Sequence, residues 1–431
     1  MTNITATPAW PLWQRIGFRF CFLFFGLVVL LINNGAYPLW PLLQEAYNPW
    51  LHSFIQWVGK ALLKLPYPIT VFTNGSGDTT YDWVLLGVIV VLAFAGTVVW
   101  TVLGRQQKAY PKLYYWLMVA VRYYVGLMLI TYGLVKVVQL QFPKPGLFRL
   151  LQAYGHSSPM GLAWTFLGFS KGYNLFMGIA ELAAGLLLFR RTVAVGAVIC
   201  LMTTANVMAI NYFYDVPVKI VSTLLVLCTL FILLPYMRPL WQFFIKGMAS
   251  RLPVLQRPVF AQKWKRIALT VMKVLVLVAT IGFGTAEVLS YALPGGSNAA
   301  RPKYYGLYLI DTFIKNGDTL PPLRTDSTRW YRLAIENDYN CRVVLANDSS
   351  LRFNYTADTI ANQITFKRFE DSTRKMTLTV LQQPGGQFEL SGKNEYGAAI
   401  MLKGQRVTNI EEEFLLTSRG FHWVTEYPFN R

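Results

Sequence analysis

Charge is scarce in this sequence: 14% of its residues are Asp, Glu, Lys or Arg, against about 25% in soluble domains. Acid is scarcer still, with 21 Asp and Glu against 40 Lys and Arg. Cysteine pairs are missing as well. Cys21, Cys200, Cys228 and Cys341 include no C-x-x-C spacing, which argues against thiol–disulfide chemistry within the chain. Only three histidines occur, His52, His156 and His422, too scattered to suggest a metal site, so no metal is expected. So little charge excludes water as the main solvent for most of the chain.

What is present is apolar. Hydrophobic residues make up 54% of the 431, and runs near 20 residues with few charges recur through the first ~290, the length a helix needs to cross hydrocarbon. Spans are expected over about 16–32, 82–103, 114–140, 173–189, 192–211, 218–235 and 267–291. The first follows Arg15 and Arg19 like a signal sequence, but Asn33-Asn34-Gly35 offers no small-x-small cleavage site, so it reads as a retained anchor. In the first loop Trp50, Phe54, Trp57, Val58, Ala61 and Leu65 recur at helical spacing, which predicts an interfacial helix.

The net charge of +19 could suggest nucleic acid, but its placement argues otherwise. Residues 301–431 hold 17 Lys and Arg against 15 Asp and Glu, so only +2 of the excess lies there. The rest sits in short loops between spans, where it records topology and contact with anionic lipid. Arg15 and Arg19, then Arg105, Lys108 and Lys112, then Arg190 and Arg191, then seven basic residues between Arg238 and Arg266, fall on one side, read as cytoplasmic. Seven spans from that start place the C-terminus outside the cytoplasmic membrane. One outer loop, 141–171, carries Lys144, Arg149 and Lys171 with no acid. Its Phe142-Pro143-Lys144-Pro145 and semi-apolar stretch through Trp164 suggest a segment lying along the interface or dipping into it.

The chain changes character near Pro294-Gly295-Gly296-Ser297, a linker before a domain of different composition. Period-two segments follow: Arg332–Ile335, Arg342–Leu345, Met376–Leu381, Gln387–Leu390 and Ala399–Leu402. Between them Asn347-Asp348, Pro384-Gly385-Gly386, Ser391–Asn394 and Lys403-Gly404 read as turns. The fold class expected is therefore an all-α transmembrane bundle of about seven helices plus an all-β sandwich or small barrel over 300–431. Glu411-Glu412-Glu413 reads as a solvated charge run, and the ending Gly420–Tyr427 as a strand.

Ionisable residues inside spans cost at least ~2.5–3.5 kcal/mol each, so each needs a partner or a purpose. The third span carries Arg122 and Lys136, the fourth Glu181, and the seventh Lys273 and Glu287. Lys273 and Glu287 lie near helix ends and can snorkel. Arg122 and Lys136 share a helix face roughly 21 Å apart. Side chains lean toward the helix N-terminus, so Lys136 and Glu181 converge in depth and an ion pair between them is expected, with Arg122 deeper toward the cytoplasm. The pair reads either as helix packing or as a working site for polar contact or proton transfer. Tyr132, Trp164, Asn174, Asp215 and Lys219 are candidates to line a polar cavity opening to the outer leaflet, of a kind that receives a quinone or lipid head group.

At these residues the chain resembles the DoxX-like family of small four-helix membrane proteins. The likeness rests on Arg122-Tyr123-Tyr124-Val125-Gly126 through Tyr132-Gly133-Leu134-Val135-Lys136, then Gly178-Ile179-Ala180-Glu181 followed by small residues and a leucine run. It covers about 114–236, leaving 1–113 as a two-span segment and 237–294 as a basic loop with a seventh span. The whole chain also looks like a longer architecture of Bacteroidota type, through the stretches Phe72–Thr80, Ser157–Phe166 and Phe213–Lys219. The resemblance implies a membrane subunit of a redox system, in some relatives a thiosulfate:quinone oxidoreductase. A quinone cofactor and a protein partner carrying the electron centre would follow, with membrane lipid around it and no nucleic acid. The rival reading is a non-enzymatic assembly or scaffold protein whose outer β domain binds an envelope partner; a transporter ranks last, for want of an inverted repeat.

Overall fold

The computed structural model describes residues 9–37, 40–71, 75–255, 262–295, 301–337, 339–382 and 384–429. Its chain divides into two compact units, one of 1–144 with 158–297 and one of 145–157 with 298–431. The expected linker therefore lies at the division between the helical and β units. The loop 141–171 is not one segment. Its middle, 145–157, belongs to the β unit, whereas Pro159–Phe169 is a helix of the helical unit.

The helical unit runs α1 (Leu12–Leu31), α2 (Trp40–Trp57) with a π turn to Leu62, α3 (Thr80–Leu103) and α4 (Pro111–Val137). After the single turn α5 (Leu147–Leu150), which belongs to the β unit, come α6 (Pro159–Phe169), α7 (Lys171–Leu182), α8 (Val193–Phe213), α9 (Lys219–Phe244), α10 (Lys263–Val278) and α11 (Gly284–Gly295). Among the described residues six helical stretches are long and apolar enough to cross a membrane: α1, α3, α4, α8, α9 and 263–290. They match six of the seven expected spans. The other, 173–189, is α7 continued as a 3₁₀ helix over Ala183–Leu188, so it is broken rather than one long helix and is not among the six. The chain is a multi-pass membrane protein. Helix α2 fills the expected place in the first loop and leaves Trp50, Phe54 and Trp57 exposed. The side chain of Glu287, and residues 72–74 of the stretch 72–80, lie outside the described residues.

The β unit is a closed antiparallel barrel. Strands β1 (Gly306–Lys315), β2 (Asp318–Thr319), β3 (Trp330–Ile335), β4 (Asn340–Leu345), β5 (Ser350–Asp358), β6 (Gln363–Arg368), β7 (Lys375–Gln382), β8 (Gln387–Lys393) and β9 (Ala399–Arg406) follow one another. Each of β3 to β8 pairs with its sequence neighbour, and β9 returns to β1 through pairs such as Phe313 with Leu402. β2 is a short flap on β1. Alternate residues point inward, so Tyr308, Trp330, Phe353, Phe366, Leu378 and Leu402 fill the interior. A void between Tyr308, Val380 and Phe388 there is about 10 Å³, too small for a ligand.

Closure corrects three expectations in this unit. Lys403-Gly404 is not a turn but lies within β9, where its pairing with β1 would drive a Cβ at Gly404 into the Leu309 carbonyl oxygen; glycine in a strand marks such a close approach. Ser391–Lys393 likewise continues β8, and the turn forms at Asn394–Gly397, where the Asn394 carboxamide oxygen accepts from the amides of Tyr396 and Ala398. Gly420–Tyr427 is not a strand, since β9 has already closed on β1 and no ladder position remains; Trp423 is 92% exposed. Glu411–Glu413 lies in the single exposed turn α12 (Ile410–Glu413), followed by α13 (Leu415–Ser418).

Candidate functional site

The expected ion pair forms. Lys136 Nζ lies 2.7 Å from both Glu181 carboxylate oxygens, and the two side chains are 6% and 3% exposed. Glycine register puts it there. A Cβ at Gly133 would come 2.9 Å from the Gly178 carbonyl oxygen, and one at Gly178 would come 2.8 Å from that of Gly133. Without side chains at those two positions, α4 and α7 touch backbone to backbone, as small residues allow in membrane helices. Lys136 and Glu181 each follow their glycine by three residues, about one helical turn, so the crossing delivers them to the same level. Gly126 meets Ala184 and Leu188 further along, so the two elements run antiparallel.

Aromatic and amide groups close around the pair. The rings of Tyr132 and Phe142 each stand 5.7 Å from Lys136 Nζ. Trp164 meets Phe142 edge-on at 5.1 Å. Asn174 is fully buried and donates to the carbonyl oxygens of Leu167 at 2.8 Å and Phe142 at 3.4 Å. Three of the five expected cavity residues, Tyr132, Trp164 and Asn174, thus gather at the pair as packing.

Arg122 has a different partner. Its Nε donates to the Leu187 carbonyl oxygen at 2.8 Å, and a terminal guanidinium nitrogen donates to the same atom. Leu187 lies at the end of the 3₁₀ segment, where backbone carbonyls lack helical partners and the helix dipole is negative. Lys273 Nζ takes the Leu188 carbonyl at 3.1 Å, and the Thr192 hydroxyl takes that of Leu186 at 2.6 Å. Three successive carbonyls are thereby satisfied by groups from three helices or their ends. Beside them opens a cavity of about 270 Å³, walled by Tyr37, Tyr115, Trp116, Val119 and Tyr123 and carrying Arg122, Arg190 and Lys273 with no carboxylate in its lining.

Asp215 and Lys219 enter another cluster. Asp78 caps α9, its carboxylate accepting from the amides of Lys219 at 2.8 Å and Ile220 at 3.0 Å. Lys219 Nζ pairs with Asp215 at 2.8 Å and lies 3.9 Å from Asp78. The Gly77 amide donates to the Pro217 carbonyl at 2.7 Å, so the stretches 72–80 and 213–219 meet.

Sequence reasoning missed Asp78, Arg190 and the full role of Arg19. Arg19 is 1% exposed and binds the Tyr110 hydroxyl, Thr101 and the Gly104 carbonyl, joining α1 to the end of α3 and the start of α4. In sequence it reads only as a topology charge. Its place one turn inside an apolar run was the available signal; Asp78 falls in the singled-out stretch Phe72–Thr80, but a loop acid carries no mark of the helix it caps.

No family model and no solved structure matches the chain. The uncharacterized protein YwoB of Bacillus subtilis (strain 168) is 38% identical over 131 residues, which are 30% of this chain and 81% of YwoB. The chain belongs to the family of YwoB.

Proposed function

We propose that the helical unit is a DoxX-like module of a redox system in the cytoplasmic membrane, and that the cavity beside Arg122 holds a quinone or a similar lipophilic molecule with a polar head. The observation that carries this reading is the lining: aromatic walls for an apolar ring, and three cations without a carboxylate for oxygen atoms that bear or develop negative charge. Arg122 and Lys273 are anchored on the Leu187 and Leu188 carbonyls, so they are positioned in advance. In this reading Lys136 and Glu181 hold α4 against α7, and proton transfer falls to groups at the cavity. In this reading the basic loops face the cytoplasm, with the N-terminus on the same side and the β unit outside. Arg190 then puts the cavity at the inner-leaflet end of the bundle, opposite to the outer-leaflet position expected from Asp215 and Lys219. A partner protein supplies the electron centre.

The test is mass spectrometry of lipophilic molecules retained by purified protein. Val119→Trp fills the cavity without touching the anchored cations, and Arg190→Gln removes one cation that makes no ion pair among the described residues. A quinone kept by wild type and lost from both variants at unchanged melting temperature supports the reading. Bulk phospholipid alone in all three favours the second reading, an assembly protein. That reading has its own observation: the Lys136–Glu181 pair is dry and closed on itself, as a packing element would be.

A further inference from the structure

The outer face of the β barrel carries a concentration of arginine that the composition of the unit does not explain. Its 17 cations and 15 acids nearly cancel between 301 and 431. Yet one recess of about 640 Å³ is lined by Arg324, Arg332, Arg342 and Arg352, with Asp348 as its one carboxylate. Arg342 on β4 stands directly opposite Arg352 on β5. Like charges in that register destabilise a sheet. Arg332 follows on β3, two register positions along from the Ala334–Arg342 pair.

The recess is built. Segment 145–157 of the same unit forms one wall with Gln152 and His156. It is fastened to the barrel at three points. Leu147 is buried with Leu307 and Ala334, the Phe148 amide donates to the Glu336 carboxylate at 3.0 Å, and Arg342 donates to the Phe148 carbonyl at 3.0 Å. None of the four arginines makes an ion pair among the described residues. The Nε atoms of Arg332 and Arg342 are sheltered without a hydrogen-bond partner, and an unmet buried donor costs about 1–3 kcal/mol. Burial and the neighbouring Arg352 push the Arg342 guanidinium below its ordinary range, with Glu336 opposing.

We propose that this recess is a binding site for a phosphate-bearing anion. The ligand class follows from the donors: guanidiniums grip phosphate oxygens two at a time, and several around one recess suit a diphosphate or a pair of phosphates better than a single carboxylate. Its volume falls within the range of small-ligand pockets. The same chemistry is offered by a soluble phosphoanion and by a phospholipid head group. The site is independent of the cavity in the helical unit.

The experiment uses the full chain in nanodiscs of phosphatidylcholine. Calorimetric titration with pyrophosphate and with inorganic phosphate forms one arm, and binding to vesicles containing phosphatidylglycerol the other. Saturable pyrophosphate binding, tighter than phosphate, identifies a soluble source; vesicle binding without it identifies a head group. In either case Arg332→Gln with Arg352→Gln should weaken binding about tenfold or more, equal to about 1.4 kcal/mol. Asp348→Asn, which keeps the turn and removes the rim charge, should tighten it. No saturable binding in either arm overturns the proposal, as does binding that neither set of substitutions changes.

Discussion

In the helical unit the buried charges Arg19, Arg122, Lys136 and Glu181 lie inside the packing, whereas in the β unit the interior is apolar and Arg329 is the one buried charge among the described residues. Charged pairs such as Lys403 with Glu389 at 3.2 Å stand at the barrel surface, and the more sheltered Arg368–Glu395 pair, at 2.7 Å, still leaves Arg368 20% exposed. The difference teaches what surrounds each unit. Hydrocarbon offers no partner, so a membrane helix must turn its polar groups inward and satisfy them there. Water solvates a charge left outside, so the barrel can spend its interior on apolar side chains. Even Arg329 obeys the rule of satisfaction, donating to the carbonyl oxygens of Leu320, Asp311 and Trp330.

The largest test of this contrast sets one pair against the other. Glu181→Gln or Lys136→Met alone strands a charge in the dry α4–α7 contact and should cost about 3–5 kcal/mol, most of it recovered in the double variant Lys136→Met with Glu181→Met. Lys403→Met at the barrel surface should cost about 0–1 kcal/mol. Thermal unfolding in one detergent, run as two double-mutant cycles, reads both. Equal losses in the two cycles would end the contrast.

The Lys136–Glu181 pair was legible because a charge in a span is expensive and the register of two helices limits its partners. Arg122 was legible as a residue needing a partner but not as to which one, since a backbone carbonyl leaves no mark in sequence. The extra spans and the change of character near 295 were legible from composition. Barrel closure was not. β1 and β5 mix apolar and polar residues less regularly than β7, and Gly392 and Gly404 look like turn residues until the neighbouring carbonyl beneath each is seen. Nor could spacing show that 145–157 joins the β unit, because Leu147 and Phe148 find their partners about 160 to 190 residues away in sequence.

A second test compares how tightly backbones approach in the two units. Gly133→Val drives a branched side chain into the Gly178 carbonyl, and Gly404→Ala drives a methyl into that of Leu309. Each should cost about 1–3 kcal/mol. Their consequences should differ in place. Gly133→Val separates α4 from α7 and should loosen the Lys136–Glu181 pair, so adding Glu181→Gln to it should cost less than in wild type. Gly404→Ala should leave that increment unchanged. Additive effects in both backgrounds would separate the glycine contact from the pair.

The smallest effect belongs to turns that only water-facing chain can use. Between β5 and β6 the Asp358 carboxylate accepts from the amides of Ala361 and Ile360 at 2.9 Å each, and these bonds hold it below the ordinary carboxylate range. A folded value below the unfolded one, near 3.9, contributes stability that is present above about pH 3.9 and is lost as pH falls through the folded value. Asp358→Asn keeps an oxygen to accept both amides and removes the titration. Its melting temperature should therefore lie close to wild type at pH 7 and fall less steeply below about pH 4, where wild type loses this contribution. Asp358→Ala should be lower than both at pH 7. An Asn variant as steep as wild type on the acid side would assign that slope to other carboxylates of the barrel, Asp371 first, whose bonds to Thr373 hold it down in the same way.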